Sequence, residues 1–322
     1  LIASLPALLF YWLTVYPSIT WWDAAEYAAA AICLGNPHPP GSLLLTLLGW
    51  VFTKLPLGIS DILSLNLLAG LIAAAAGATI AIIALRLIEI TGVTDGSGKT
   101  RQTLTAAGVG AALGSMVFSL GETLWLYAIK FTPYGLTALF TALIIWVAVG
   151  WWRTADRPEA FRWLLLLGLL IGLDFSVHRT NAVLLPGLLI WILMRHPGTL
   201  ASIRSWLTGV IGLLIGLSLH LLIMPIAMRQ PFMNGGFPAT WARFWDYVSL
   251  KQMGGGFLMK FLPRNGDFWG DQVSDFVEAF AANFFTFDGL WFVGWFPLLL
   301  GISGLVFMWR RDRLLAAALA FM

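Results

Sequence analysis

Long apolar runs separated by short polar turns set the pattern of this chain. Such runs fall near 1–16, 63–88, 103–120, 135–152, 163–176, 181–195, 205–226 and 284–309, and another begins at Leu314. Each approaches the roughly 20 apolar residues that carry a helix across a hydrocarbon core. The pattern predicts an all-α polytopic membrane protein with about eight or nine crossings. A shorter run, 41–56, is ambiguous.

Charge in the turns orients the runs. Arg86, Lys99 and Arg101 follow the second run; Arg153, Arg157 and Arg162 follow the fourth; Arg195 and Arg204 flank a later short turn; and Arg310, Arg311 and Arg313 follow 284–309. Cytoplasmic loops collect Lys and Arg, so these clusters are expected inside. The loops 121–134, 174–181 and 227–283 then lie outside. Loop 17–40 has neither Lys nor Arg and also belongs outside. That requires 41–56 not to cross, so it is expected as a re-entrant or interfacial helix within a first outer loop, 17–62. The division is a seven-span module, 1–226, a large outer loop, 227–283, and C-terminal helices, 284–322. Leu1 is not Met and the chain stops inside an apolar run, so it reads as part of a longer protein.

Composition agrees with this class. Of the 322 residues 59% are hydrophobic and 11% charged, whereas a soluble domain carries about 25% charged residues. Seventeen Trp suit interfacial belts. The net charge of +3 names no partner, no basic stripe suggests nucleic acid, and a single Cys33 excludes an intrachain disulfide framework. Gly96-Ser-Gly98-Lys99-Thr100 looks like a phosphate loop, but Val93 stands where that motif needs its first Gly and no strand precedes it.

Chemistry concentrates at the outer turns. Asp23 and Glu26 are three apart and share a helix face. A carboxylate beside a cavity can take a proton from a hydroxyl; alternatively, Thr20 to Asp23 is a capping sequence in which Asp23 merely caps a short helix. In His38-Pro39-Pro40-Gly41 the prolines make a rigid turn; they do not account for His38, which suits a phosphate or a sugar hydroxyl. The turn 121–134 holds Lys130 and Tyr134; Lys130 either snorkels or neutralises a phosphate. Asp174, His178, Arg179 and Asn181 form a polar knot between two spans, which is either a plain hydrophilic turn or a phosphate contact through the fork of Arg179. In the long loop, Asn234 and Arg243 are candidates for an anionic headgroup among residues such as Gln252, Lys260 and Arg264 that read as solvated.

Trp22-Asp23-Ala-Ala-Glu26 through Leu34-Gly35 to His38-Pro39-Pro40-Gly41 resembles the opening signature of the bacterial DUF2723 family, whose eukaryotic relatives include the TMEM260-type protein O-mannosyltransferases. Looser likenesses follow at Thr123 to Ala128 with Tyr134, at His178 with Thr180, and from Pro225 through Asn234 to Pro238 and Arg243 to Gln252. The family is similar to the GT-C membrane glycosyltransferases. The resemblance implies a GT-C-like bundle in a bacterial inner membrane with its site on the extracytoplasmic face. It implies inverting transfer of mannose or a similar hexose from a polyprenyl-phosphate donor in the lipid to a protein, glycan or lipid hydroxyl. Asp23, with Glu26, would be catalytic; His38, Lys130, Tyr134, His178, Arg179, Asn234 and Arg243 would bind substrate. The family commonly carries acidic residues where this chain has Lys130-Phe131-Thr132, so no metal ligand is assigned and a divalent cation is left open. The chief rival is a GT-C-like subunit of a larger complex that has lost the chemistry, favoured by Lys130. A transporter ranks last, because no internal repeat is found and the ionisable groups sit at one surface.

Overall fold

The computed structural model describes residues 4–92, 101–251, 269–284 and 294–321. Gly96–Thr100, Gln252, Lys260 and Arg264, and part of the expected span 284–309, lie outside the described residues. The described residues form helices α1 (Leu5–Leu13), α2 (Ala24–Cys33), α3 (Leu43–Thr53), α4 (Asp61–Ile90), α5 (Arg101–Leu120), α6 (Glu122–Ala128), α7 (Pro133–Thr154), α8 (Ala160–Asp174), α9 (Leu184–Arg195), α10 (Gly198–Ala201), α11 (Ile203–Leu217), α12 (Ile223–Met228), α13 (Trp241–Val248), α14 (Trp269–Ala282), α15 (Phe296–Trp309) and α16 (Arg313–Ala320). No strand occurs among them; one isolated parallel bridge joins Asn36 and Asn234.

α4 is the axis. The Ser60 hydroxyl caps it by accepting the Leu63 N–H at 3.2 Å, and its 30 residues reach about 45 Å. α7 starts on Pro133, whose fixed φ suits a first helical turn, and runs parallel to α4. The Phe131 N–H meets Asn66 near one end of the pair, and Arg153 meets Glu89 at the other.

α8 and α11 pack closely through glycines. A Cβ at Gly168 would lie 2.1 Å from the Gly209 carbonyl oxygen, and one at Gly212 would lie 2.1 Å from that of Leu165. Between membrane helices the solvent gives no hydrophobic push, so close backbone approach through small residues supplies the association.

The apolar runs are more broken than expected. α4, α7 and the stretch Ile203–Met228 are long and apolar enough to cross a membrane, and α5 from Leu104 with α6 makes a fourth only if that pair, bent by 68°, is one span. Eight or nine crossings were expected. α1, α8 and α9 have 9, 15 and 12 residues; the runs 163–176 and 181–195 that announced α8 and α9 were already short of the roughly 20 residues of a full span. The tract after α8 turns at Asp174 to His178 and passes through a 3₁₀ segment, Arg179–Val183, before α9 begins. α3 has 11 residues, about 16 Å and half a hydrocarbon thickness.

Candidate active site

Four turns converge at the end of the bundle where α4 and α7 begin. The Tyr16 N–H donates to the Ile129 carbonyl at 3.2 Å, and the Leu44 N–H to that of Ser176 at 3.3 Å. The Ser42 hydroxyl donates to the Val177 carbonyl at 2.7 Å. The Asn36 N–H donates to Met233 at 3.0 Å, and Gly235 returns a bond to Asn36 at 2.7 Å. These bonds gather 16–42, 129–134, 174–183 and 233–248 at one end of the bundle.

Asp23 stands at the N-cap of α2, yet its side chain makes no capping bond. Among the described residues its carboxylate has no hydrogen-bond or ion-pair partner. Trp22 precedes it at φ 70, a region uncommon for any residue with a Cβ and costly for a bulky one. Glu26, by contrast, is fully engaged. Its Oε1 accepts the His38 backbone N–H at 2.5 Å and its Oε2 lies 2.8 Å from His38 Nδ1. With Nδ1–H facing that carboxylate, Nε2 of a neutral ring is left to accept from the Tyr27 hydroxyl at 3.3 Å. Burial, opposed in part by a Ser42 hydrogen bond and reinforced by Asp23, pushes the Tyr27 hydroxyl well above its ordinary range, so it stays a donor. Asp23, Glu26 and His38 each offer one ligand atom within 4.8 Å of the others. That set fits a divalent cation, which would take over the Glu26–His38 contact.

Lys130 lies on the turn between α6 and α7. The residue is only 8% exposed. Its ammonium lies 5.0 Å from the Trp21 ring and 5.1 Å from the Tyr127 ring, and no carboxylate pairs with it among the described residues. Burial pulls its pKa down. Tyr134 packs on Tyr127 at 4.4 Å and on His178 at 5.6 Å between ring centroids.

His178 is held by Thr180, whose N–H and hydroxyl lie 3.3 and 2.6 Å from Nδ1. Accepting there puts the proton of the neutral ring on Nε2. Burial, and then His38, lower its pKa. Arg179 donates to the Val248 carbonyl, tying the knot to α13. Asn181 turns inward, donating to the Thr137 carbonyl at 3.1 Å and accepting the Thr141 hydroxyl at 2.8 Å. Asp174 is buried, with Oδ1 unpartnered.

No described contact joins Asn234 or Arg243 to the Asp23 group. Asn234 donates to the Ala227 carbonyl at 3.0 Å and accepts from the Asn36 side chain at 3.3 Å, which makes it a clasp between two loops. Arg243 is exposed, 5.6 Å over the Phe237 ring.

Three residues not evident in the sequence build the site. Trp21 sets its ring against the Lys130 ammonium. Tyr247, fully buried on α13, donates its hydroxyl to the Pro37 carbonyl. Its ring would lie 2.9 Å from a Cβ at Gly41, whose φ of +104 already favours glycine. Asn66, inside α4 and 4% exposed, donates to the carbonyls of Tyr16 at 2.9 Å and Ser18 at 3.3 Å and accepts the Phe131 N–H at 2.9 Å. One side chain therefore links the approach to Asp23 with the turn bearing Lys130. An Asn66→Leu variant strands those backbone groups and is expected to lose about 2 kcal/mol of stability. Detergent unfolding checks this; a loss below about 0.5 kcal/mol would deny Asn66 that role.

The family described as the protein O-mannosyl-transferase TMEM260 N-terminal domain matches residues 23–201, which begins on Asp23 and takes in every candidate residue except Asn234 and Arg243. A protein of Mus musculus named protein O-mannosyl-transferase TMEM260 is 29% identical over 184 residues, covering 57% of this chain. The chain spans about a quarter of that relative's length, 24%. No solved structure matches the chain. The chain belongs to the TMEM260 N-terminal domain family of protein O-mannosyl-transferases.

Proposed function

We propose that this chain is the membrane-embedded part of a glycosyltransferase. It moves mannose or a similar hexose from a polyprenyl-phosphate donor to a hydroxyl of a protein, glycan or lipid, on the extracytoplasmic side of a bacterial inner membrane. The bundle is GT-C-like, with the shorter helices completing the crossings. Family membership supports the reaction class, and the name of the mouse relative supports mannose and a protein acceptor. The observation that carries the reading is the Asp23 carboxylate. It is unengaged by capping or pairing, and the neighbouring turn carries Lys130, whose ammonium has no carboxylate partner among the described residues and rests against the Trp21 and Tyr127 rings.

The acceptor hydroxyl oxygen attacks the anomeric carbon, and its proton passes to Asp23. The carbon–oxygen bond to phosphate breaks, inverting the anomeric centre, and the lipid phosphate leaves with the bonding electrons. Lys130 and the Nε2–H of His178 meet the charge that develops there. Glu26 holds His38, and His38 with Tyr27 and Tyr134 orients sugar or acceptor hydroxyls. A divalent cation bound by Asp23, Glu26 and His38 would add further charge stabilisation at the phosphate.

Lys130→Met tests the phosphate role. Met keeps the length and apolar stem but removes the charge. Transfer from a radiolabelled polyprenyl-phosphate sugar is expected to fall about 10²-fold in kcat/KM. Stability should hold, because the ammonium has no carboxylate partner among the described residues and Met keeps the stem's packing. Unchanged transfer with lowered stability would make Lys130 a structural residue and remove the main support for a phosphate at this site.

A further inference from the structure

The opposite end of the bundle carries a polar cavity, of about 460 Å³, where α4, α7 and α8 meet. Arg86, Arg153, Arg157 and Glu89 line it together with Trp146 and Trp163. Its position is fixed by α7, which leaves the Asp23 end at Pro133 and reaches this cavity with its last turns. Glu89 binds Arg86 at 3.0 Å and Arg153 at 3.1 Å. One carboxylate thus pairs with two of the three guanidinium groups, and Arg157 has no carboxylate partner among the described residues. The neighbouring acid, Asp156, is engaged elsewhere, 2.5 Å from Arg195. The two indoles meet edge to face at 5.7 Å. A Cβ at Gly150 would lie 2.7 Å from the Trp163 ring, so the glycine lets that ring cross the cavity floor.

We propose that this cavity binds the headgroup of an anionic phospholipid. The positive excess selects an anion, and guanidinium forks suit phosphate oxygens. The indoles argue for a lipid rather than a free ion. Trp146 and Arg153 are seven residues apart on α7, about 10 Å, which sets a half-buried indole below the guanidinium as the glycerol region lies below a phosphate. Arginines just beyond the apolar part of two membrane-length helices are also the usual place for anionic-lipid recognition. This site is separate from the donor site, and its failure would leave the glycosyltransferase reading untouched.

The test uses the whole chain in a neutral detergent, with phosphatidylglycerol, phosphatidylcholine or inorganic phosphate added and bound lipid counted by native mass spectrometry. Phosphatidylglycerol should be retained in clear preference to phosphatidylcholine, less so as salt rises. An Arg86→Gln/Arg157→Gln double variant should bind phosphatidylglycerol roughly 30-fold more weakly, with phosphatidylcholine unchanged. Arg157→Gln alone touches an exposed, unpaired side chain that folding does not need, and should lose about 5-fold. Equal retention of both lipids, or undiminished phosphatidylglycerol binding by either variant, would overturn the proposal. So would inorganic phosphate binding as tightly as the lipid with the same arginine dependence, which would assign a free anion.

Discussion

Asp23→Asn is expected to lower sugar transfer about 10³-fold while the chain folds and inserts as before. The two side chains are nearly the same size, so the change removes the charge and the capacity to take a proton and little else. The folding half of the expectation comes from local geometry. Asp23 occupies the N-cap position of α2 but makes no capping bond, so the usual penalty of about 1 kcal/mol for losing a cap does not apply. Unfolding of the variant should stay within about 0.5 kcal/mol of the parent. A variant that loses activity only by unfolding would mean that Asp23 holds the loop instead. A variant that transfers sugar at the parental rate would remove the general base from the scheme.

Gly212→Val is expected to cost about 3 kcal/mol, the upper end for forcing atoms into a packed interface. A Cβ at Gly212 meets the Leu165 carbonyl at 2.1 Å, and a backbone carbonyl in a helix cannot swing aside. α8 and α11 would have to part, drawing the turn with His178 and Arg179 away from Ser42 and α13, so transfer should fall along with stability. Gly209→Ala is the control. On the same helix, a Cβ there meets nothing within 4 Å. It should be neutral or stabilising by up to about 1 kcal/mol, since Ala forms helix better than Gly. Detergent unfolding compares the two; similar losses would show that the glycines contribute backbone freedom rather than close approach.

These two sites differ in how visible they are in the sequence. Asp23, His38, Lys130, Tyr134 and His178 stand out because ionisable and polar groups flanking long apolar runs are costly and rare. The charge pattern alone assigned loops 17–40, 121–134 and 174–181 to one side, and the structure packs these turns together. Pairing was not legible. Asp23 and Glu26 look equivalent at their spacing, but the turn after α2 brings the His38 ring to Glu26 and leaves Asp23 open. Nor was Asn66, a single amide inside an apolar run whose partners are backbone groups roughly 50 and 65 positions away. Asn234 was visible as a polar residue, but its bond to Asn36 depends on two loops meeting. The glycines at 168, 172, 212 and 216 were a readable signal of close helix contact at four-residue spacing. The break between α8 and α9 was legible as the polar turn 174–181, whereas hydropathy, which measures transfer to lipid, did not show the 68° bend between α5 and α6.

The most direct measurement is a cryo-electron microscopy structure of the chain with a non-transferable phosphonate analogue of a polyprenyl-phosphate hexose. The expected result places the phosphonate against the Lys130 ammonium, at roughly 3 Å, with the anomeric carbon turned toward Asp23 and the prenyl tail passing between helices into lipid. Density for the analogue on another face of the bundle, away from Asp23 and Lys130, would contradict it.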